Sequence, residues 1–192
     1  MKSAGSRVQF RRCCLVPYPA TFVTTMRYTT TSLRQLLNEL GIKHRHFNHP
    51  AVFTMADVAL LPERLPGADT KNLFLRDEKR RRYVLVCVRA ETRVDLKQLG
   101  KVLGMKGLTF ASPEDLEQML GVVPGSVCLF GLANDTEGRV EGFIDSSIDR
   151  TGEMQNHPLV NTETVVLGVE DMLTFCSHMR HELTPIDIPD RV

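Results

Sequence analysis

The sequence predicts a single α+β domain built on one mixed sheet flanked by helices. Three observations carry that reading. The chain has 192 residues and is 42% hydrophobic, which suits one domain with a true core, since single domains run to roughly 100–200 residues. Strand-like and helix-like stretches interleave irregularly rather than as a strict βαβ repeat. Two strand-like runs are each followed by a polar turn and a returning run, as in two adjacent hairpins.

Each element has its own signal. Ser32 is a candidate cap for a helix over 33–40, where Leu33, Leu36, Leu37 and Leu40 form one stripe and Gly41 is the natural stop. Residues 42–47 alternate as a short strand. Thr54 is a candidate cap for a helix over 55–61 that Pro62 closes. Residues 72–76 and 82–88 read as a hairpin around Asp77-Glu78-Lys79-Arg80-Arg81; the second run is nearly all apolar and so reads as a central strand. Asp95 can cap 96–103. Ser112-Pro113-Glu114-Asp115 has the form of a capping box with proline at the first helical position, in a helix stopping at Gly121. Residues 127–132 look like a strand, 134–138 a turn and 140–145 the returning strand. Residues 162–169 are another strand. A closing helix covers 170–181, with Met172, Phe175, Met179 and Leu183 near helical spacing.

Charge is unevenly spread. Residues 1–32 hold Lys2, Arg7, Arg11, Arg12 and Arg27 and no acid, so 33–192 carry 19 of the 24 basic side chains against all 23 acidic ones, a net of −4. The body is no general polyanion binder, and any RNA contact must come from a local patch. The basic, Ser/Thr-rich residues 1–30 read as a disordered or targeting extension to a domain over 31–189. Cytoplasmic location is expected, with mitochondrial the alternative. Five cysteines without C-x-x-C spacing argue against a disulfide framework and a cysteine zinc site. No apolar run approaches the ~20 residues that span a bilayer.

No P-loop, dinucleotide fingerprint, zinc signature or triad stands out. Lys71, at the mouth of a strand, could hold a phosphate or a developing oxyanion, although an edge lysine is the commoner case. His44, His46 and His49 lie close together, but no acid or thiol completes a metal set, so no metal or other cofactor is expected. Gly125 lets a ligand approach the backbone, and N–H groups of Gly125 and Ser126 could serve an ester carbonyl; a plain turn is the alternative. His157, in Asn156-His157-Pro158, could bind a hydroxyl or position water, or be an ordinary loop histidine. Lys79, Arg80, Arg81 and Arg82 form one basic patch, either a phosphate contact or a solvated turn.

Five motifs occur in order: His49-Pro50-Ala51-Val52-Phe53-Thr54, Lys71-Asn72-Leu73-Phe74-Leu75, Pro124-Gly125-Ser126-Val127, Asn134-Asp135, and His157-Pro158-Leu159-Val160-Asn161-Thr162. In this the chain resembles the YbaK/prolyl-tRNA-synthetase-associated editing family over about residues 32–188, and within it the free-standing alanyl-tRNA(Pro) deacylase branch. The resemblance implies a mixed fold whose sheet curls toward a barrel, and hydrolysis of the ester joining alanine to proline tRNA. It implies no metal and no cysteine nucleophile. Lys71 would contact the tRNA 3′ end, with Asn72, Gly125, Ser126 and His157 around the ester. Val52, Phe53, Leu129 and Phe130 are candidate pocket walls, and Lys79–Arg82 a second tRNA contact. Aminoacylated tRNA is the implied partner and prolyl-tRNA synthetase a further candidate. The family usually has proline where this chain has Leu129. Serine or cysteine on another tRNA, or a non-catalytic tRNA- or synthetase-binding module, are the alternatives.

Overall fold

The structure is a computed structural model that describes residues 27–51 and 64–191. The expected helix over 55–61, the candidate wall residues Val52 and Phe53, and residues 1–26 of the extension lie outside the described residues.

Helix α1 spans Thr30–Glu39. Its cap is Thr29, not Ser32: Thr29 Oγ1 accepts from the N–H of Ser32, and Ser32 Oγ accepts from the N–H of Thr29, a reciprocal box. The stripe nevertheless works as expected, with Leu33 and Leu37 fully buried. The Tyr28 N–H donates to Asn134 Oδ1 at 2.7 Å, so packed structure begins ahead of the helix.

The remaining elements are β1 (His44–Asn48), β2 (Thr70–Arg76), β3 (Tyr83–Arg89), α2 (Leu96–Val102), β4 (Thr109–Phe110), α3 (Pro113–Leu120), a 3₁₀ helix (Leu129–Asn134), β5 (Val140–Asp145), β6 (Glu153–Asn156), β7 (Glu163–Gly168), α4 (Val169–His178) and β8 (Leu183–Ile186). They form a three-stranded sheet, β1-β7-β6, and a five-stranded sheet, β4-β2-β3-β5-β8. A parallel bridge between Ala68 and Met154 joins the two. The result is a mixed, partly closed sheet flanked by helices, as expected.

The expected hairpin is β2–β3, antiparallel from Thr70↔Arg89 to Arg76↔Tyr83. Six of the seven β3 residues are buried, because both faces of the larger sheet are covered. One face joins the main core with Phe74, Leu85, Cys87, Leu129, Phe130 and Phe175. The other forms a smaller core with Leu75, Val84, Val86, Val88, Leu99 and Met105, roofed by α2.

Two further expectations fail. Residues 127–132 are not a strand: Leu129–Asn134 is a 3₁₀ helix, closed by i→i+3 bonds such as Gly131 N–H to Cys128 O at 3.0 Å. Its apolar run is buried all round, and such a run does not distinguish strand from helix by periodicity. The second hairpin therefore does not exist, and β5 lies parallel to β3 and β8. Leu183 likewise leaves the closing helix and begins β8, after Arg180 reverses the chain in a left-handed conformation (φ 64°). Strands β4, β6 and β8 are two to four residues long, too short to show a periodicity.

Candidate active site

The site is built where three chain crossings meet the end of the smaller sheet. β1 and β7 pair antiparallel, with Asn48 opposite Glu163, and the His49 N–H donates to Thr162 O at 3.0 Å. β6 and β7 form a hairpin whose connection is residues 157–162. His49 and His157 thus emerge at the same end, their rings 6.1 Å apart.

Both imidazoles are oriented by neighbours. His157 Nδ1 lies 2.9 Å from the carbonyl oxygen of Glu163. A carbonyl only accepts, so Nδ1 carries the proton and Nε2 of the neutral ring is an acceptor. Burial lowers the His157 pKa; the Glu163 carbonyl opposes that shift, and His49 adds to it. His49 Nδ1 is 2.8 Å from Pro50 O and so donates, and its Nε2 accepts from the Thr164 hydroxyl at 2.9 Å.

The 157–162 connection is pinned from outside. The Thr30 hydroxyl donates to Pro158 O at 2.9 Å. Leu159 is held in the left-handed region at φ 69°, a conformation that costs a non-glycine residue ~1 kcal/mol or more. The backbone of Leu159 also contacts the buried Cys128 thiol. That contact brings the Gly125–Cys128 segment beside the His157 loop.

Within that segment, Gly125 has φ 90°, a conformation that favours glycine. Ser126 is 2% exposed, and its N–H is already bonded to Val123 O at 3.0 Å. It is not available to an ester carbonyl as expected, and of that pair only the Gly125 N–H remains for the role.

Neighbouring residues on a strand point to opposite faces, and this separates Lys71 from Asn72. Asn72 pairs with Cys87 on the main-core face. Lys71 shares the other face with Leu73, and its ammonium donates to Ala90 O at 2.8 Å and Thr92 O at 2.7 Å. There it lines a cleft of about 600 Å³ together with Arg93, Lys97, Gly100, Phe110 and Arg191. Gly125 is not among the residues that line this cleft. Asn72 is the member of the pair on the glycine-loop face.

Next to His157, Asn156 is 3% exposed. Its Oδ1 and Nδ2, and Asn72 Oδ1, are buried with no hydrogen-bond partner among the described residues. In the sequence the available signal for Asn156 is its place directly before His157.

Phe130 is fully buried and packs edge-to-face on Phe175 at 5.0 Å, so it is a core residue rather than a pocket wall. Leu129 is also fully buried, as the first residue of the 3₁₀ helix. Proline is favoured at that position of a helix, which explains how leucine and proline can exchange there. In the basic patch, Arg82 is bound by Glu141 through two bonds of 2.8 and 2.7 Å and reaches Leu103 O at 3.0 Å. Lys79, Arg80 and Arg81 remain exposed on the turn. His44 and His46 stack edge-on at 4.9 Å beside Glu163, and among the described residues no group of three His, Cys, Asp or Glu is placed to hold a metal. Burial raises the Cys87 thiol to about 12 and Cys128 to about 11, and pushes Cys176 up as well. No described helix is long and apolar enough to cross a membrane.

Comparison with known proteins agrees with this geometry. The aminoacyl-tRNA editing domain family matches residues 49–175. The chain is 35% identical over 156 residues to prolyl-tRNA synthetase associated domain-containing protein 1 of Danio rerio, covering 80% of this chain and 83% of the relative. It is 35% identical over 136 residues to the prolyl-tRNA editing protein ProX of Acetoanaerobium sticklandii, covering 71% and 83%. In fold it resembles the crystal structure of a proposed trans-editing enzyme for prolyl tRNA synthetase, with TM-score 0.59, 18% identity, and coverage of 83% of this chain and 98% of that one. The motifs around His49, Asn72, Gly125 and His157 and the match across most of the body lead to one assignment: the chain belongs to the aminoacyl-tRNA editing domain family.

Proposed function

We propose that this protein hydrolyses, in trans, the ester that joins alanine to proline tRNA. Water attacks the ester carbonyl, the bond from that carbon to the ribose oxygen breaks, and alanine and the free tRNA 3′ end leave. The observation that carries the reading is the neutral His157, held by Glu163 O with Nε2 as an acceptor, directly after the buried Asn156 whose amide atoms have no partner among the described residues. His157 Nε2 takes a hydrogen bond from water or from the ribose hydroxyl next to the ester. The Gly125 N–H faces the developing oxyanion. Asn72 fixes the ester.

An aminoacyl ester is already activated, so positioned water and a stabilised oxyanion suffice without a strong nucleophile. The buried, high-pKa thiols of Cys87 and Cys128 are consistent with that economy. Lys71, with Arg93, Lys97 and Arg191 around it, lines a cationic cleft that takes a backbone phosphate of the tRNA acceptor end. Selectivity rests on size: a synthetase site built for proline rejects the smaller alanine by only ~1–3 kcal/mol, and a second site too small for proline corrects the error.

A panel of tRNAs charged with alanine, serine, cysteine or proline tests the reading. Clearance of alanyl-tRNA(Pro) is expected. Clearance of the serine or cysteine ester instead would move the substrate, and tRNA binding without any cleavage would make the chain a binding module. Co-purification with prolyl-tRNA synthetase tests that partner separately.

A further inference from the structure

We propose that Asn156, acting with Asn72, binds the α-ammonium group of the aminoacyl ester, and so restricts the site to esters with a free amino group. The inference rests on the hydrolase reading above but assigns a residue and a substrate feature which that reading leaves open.

Strand β6 alternates, with Met154 and Asn156 buried and Glu153 and Gln155 toward solvent. Asn156 therefore points the same way as Met154, into the main core. β2 runs alongside: Ala68 bridges Met154 in parallel, and the Thr70 hydroxyl donates to Gln155 O at 2.8 Å. Continuing that register puts Asn156 level with Thr70, one pleat from Asn72 on the same face. That register puts the two carboxamides on one face at the junction of the two sheets, with Asn156 directly before His157.

Three of their polar atoms lack partners: Asn72 Oδ1, Asn156 Oδ1 and Asn156 Nδ2. Native folds rarely leave buried amide atoms unpaired, because the desolvation loss goes uncompensated. Two apolar residues would serve the core better, so a ligand with matching groups is the physical reason to retain amides. The unpaired set is two acceptors and one donor. An aminoacyl ester presents an ammonium with three donors beside a carbonyl acceptor. The two oxygens fit the ammonium and Nδ2 fits the carbonyl. An N-blocked ester, such as the end of a peptidyl-tRNA, has no charged donor and only one N–H, and so leaves at least one of the two oxygens unsatisfied.

The test is Asn156→Leu, a near-isosteric apolar change, read in two ways. In the free protein the melting temperature is expected to stay within about 2 °C or rise, since an unpaired buried amide contributes nothing to the unliganded fold. In deacylation, the preference of the wild type for alanyl-tRNA(Pro) over N-acetyl-alanyl-tRNA(Pro) is expected to shrink ~10- to 100-fold, the loss typical of a hydrogen bond to a charged group. Equal loss on both esters, no loss on either, or a fall of about 5 °C or more in melting temperature overturns the assignment. The wild type's own rate on alanyl-tRNA(Pro) reads the hydrolase proposal separately. If that rate is nil, calorimetry with the non-hydrolysable 3′-alanylamino-3′-deoxyadenosine still decides the role of Asn156: weaker binding to the variant supports it, and equal or absent binding overturns it.

Discussion

His157 donates its Nδ1 proton to the main-chain oxygen of Glu163 across 2.9 Å. The same β7 end supplies the Thr164 hydroxyl to His49 Nε2 at 2.9 Å. One strand therefore sets the orientation of both rings. Burial lowers the pKa of His157 from the ordinary 6.5, so deacylation is expected to be flat through neutral pH and to fall only on the acid side of 6.5. A pH–rate profile checks this, and His157→Gln should cut the rate ~10²-fold and abolish the inflection. Stability follows the same sign. Between the depressed folded value and 6.5 the unfolded chain binds more protons, so stability rises with pH across that window and is complete above it. His46, also lowered chiefly by burial, adds to the same trend. A melting series from about pH 5 to 7 measures it.

Lys71 is bonded to Ala90 O and Thr92 O, so it is both a charge in the cleft and a clasp on the turn after β3. Lys71→Ala is expected to weaken tRNA binding strongly and to cost about 1–2 kcal/mol of stability through the lost clasp. Lys71→Arg retains the charge but not the compact ammonium, and should recover binding better than it recovers the clasp. Denaturant titration beside tRNA binding separates the two effects.

The hairpin turn offers a graded test of the RNA contact. Replacing exposed Lys79, Arg80 and Arg81 with serine should lower the slope of log affinity against log salt by up to about 0.9 for each phosphate contact removed. Arg82→Ser should change that slope little, because its guanidinium is bound by Glu141. An unchanged slope for the triple variant would mean that the turn is merely solvated.

The buried thiols give a chemical check. Cys87, Cys128 and Cys176 have pKa values pushed above the ordinary thiol value, chiefly by burial. They should resist alkylation in the native protein at neutral pH and react only on unfolding, which mass mapping of the modified peptides would show.

Much of this was legible in the sequence, and the failures have physical causes. Asp95, Ser112 with Asp115, and Gly121 at φ 66° are local devices, set by hydrogen bonds within a few residues, and they cap the helices as read. Thr29 displaced Ser32 because both residues can take part in a capping box, and spacing alone does not choose between them. The 3₁₀ helix escaped because Leu129-Phe130-Gly131-Leu132 is buried on all sides, so no period survives; Gly131 stands there because a Cβ would meet the Leu120 Cβ at 3.1 Å. In the site, His157 and Asn72 could be named from ordered motifs. The opposite facing of Lys71, the occupied N–H of Ser126 and the unpaired amide of Asn156 all depend on tertiary pairing that local sequence does not encode.

The central claim is most directly tested by incubating the wild-type chain with alanyl-tRNA(Pro) and, separately, with prolyl-tRNA(Pro), and following loss of the labelled amino acid against the uncatalysed rate. The alanine ester should disappear about 100-fold faster or more, while the proline ester keeps its spontaneous rate. Equal acceleration of both esters, or none for alanine, would contradict the account.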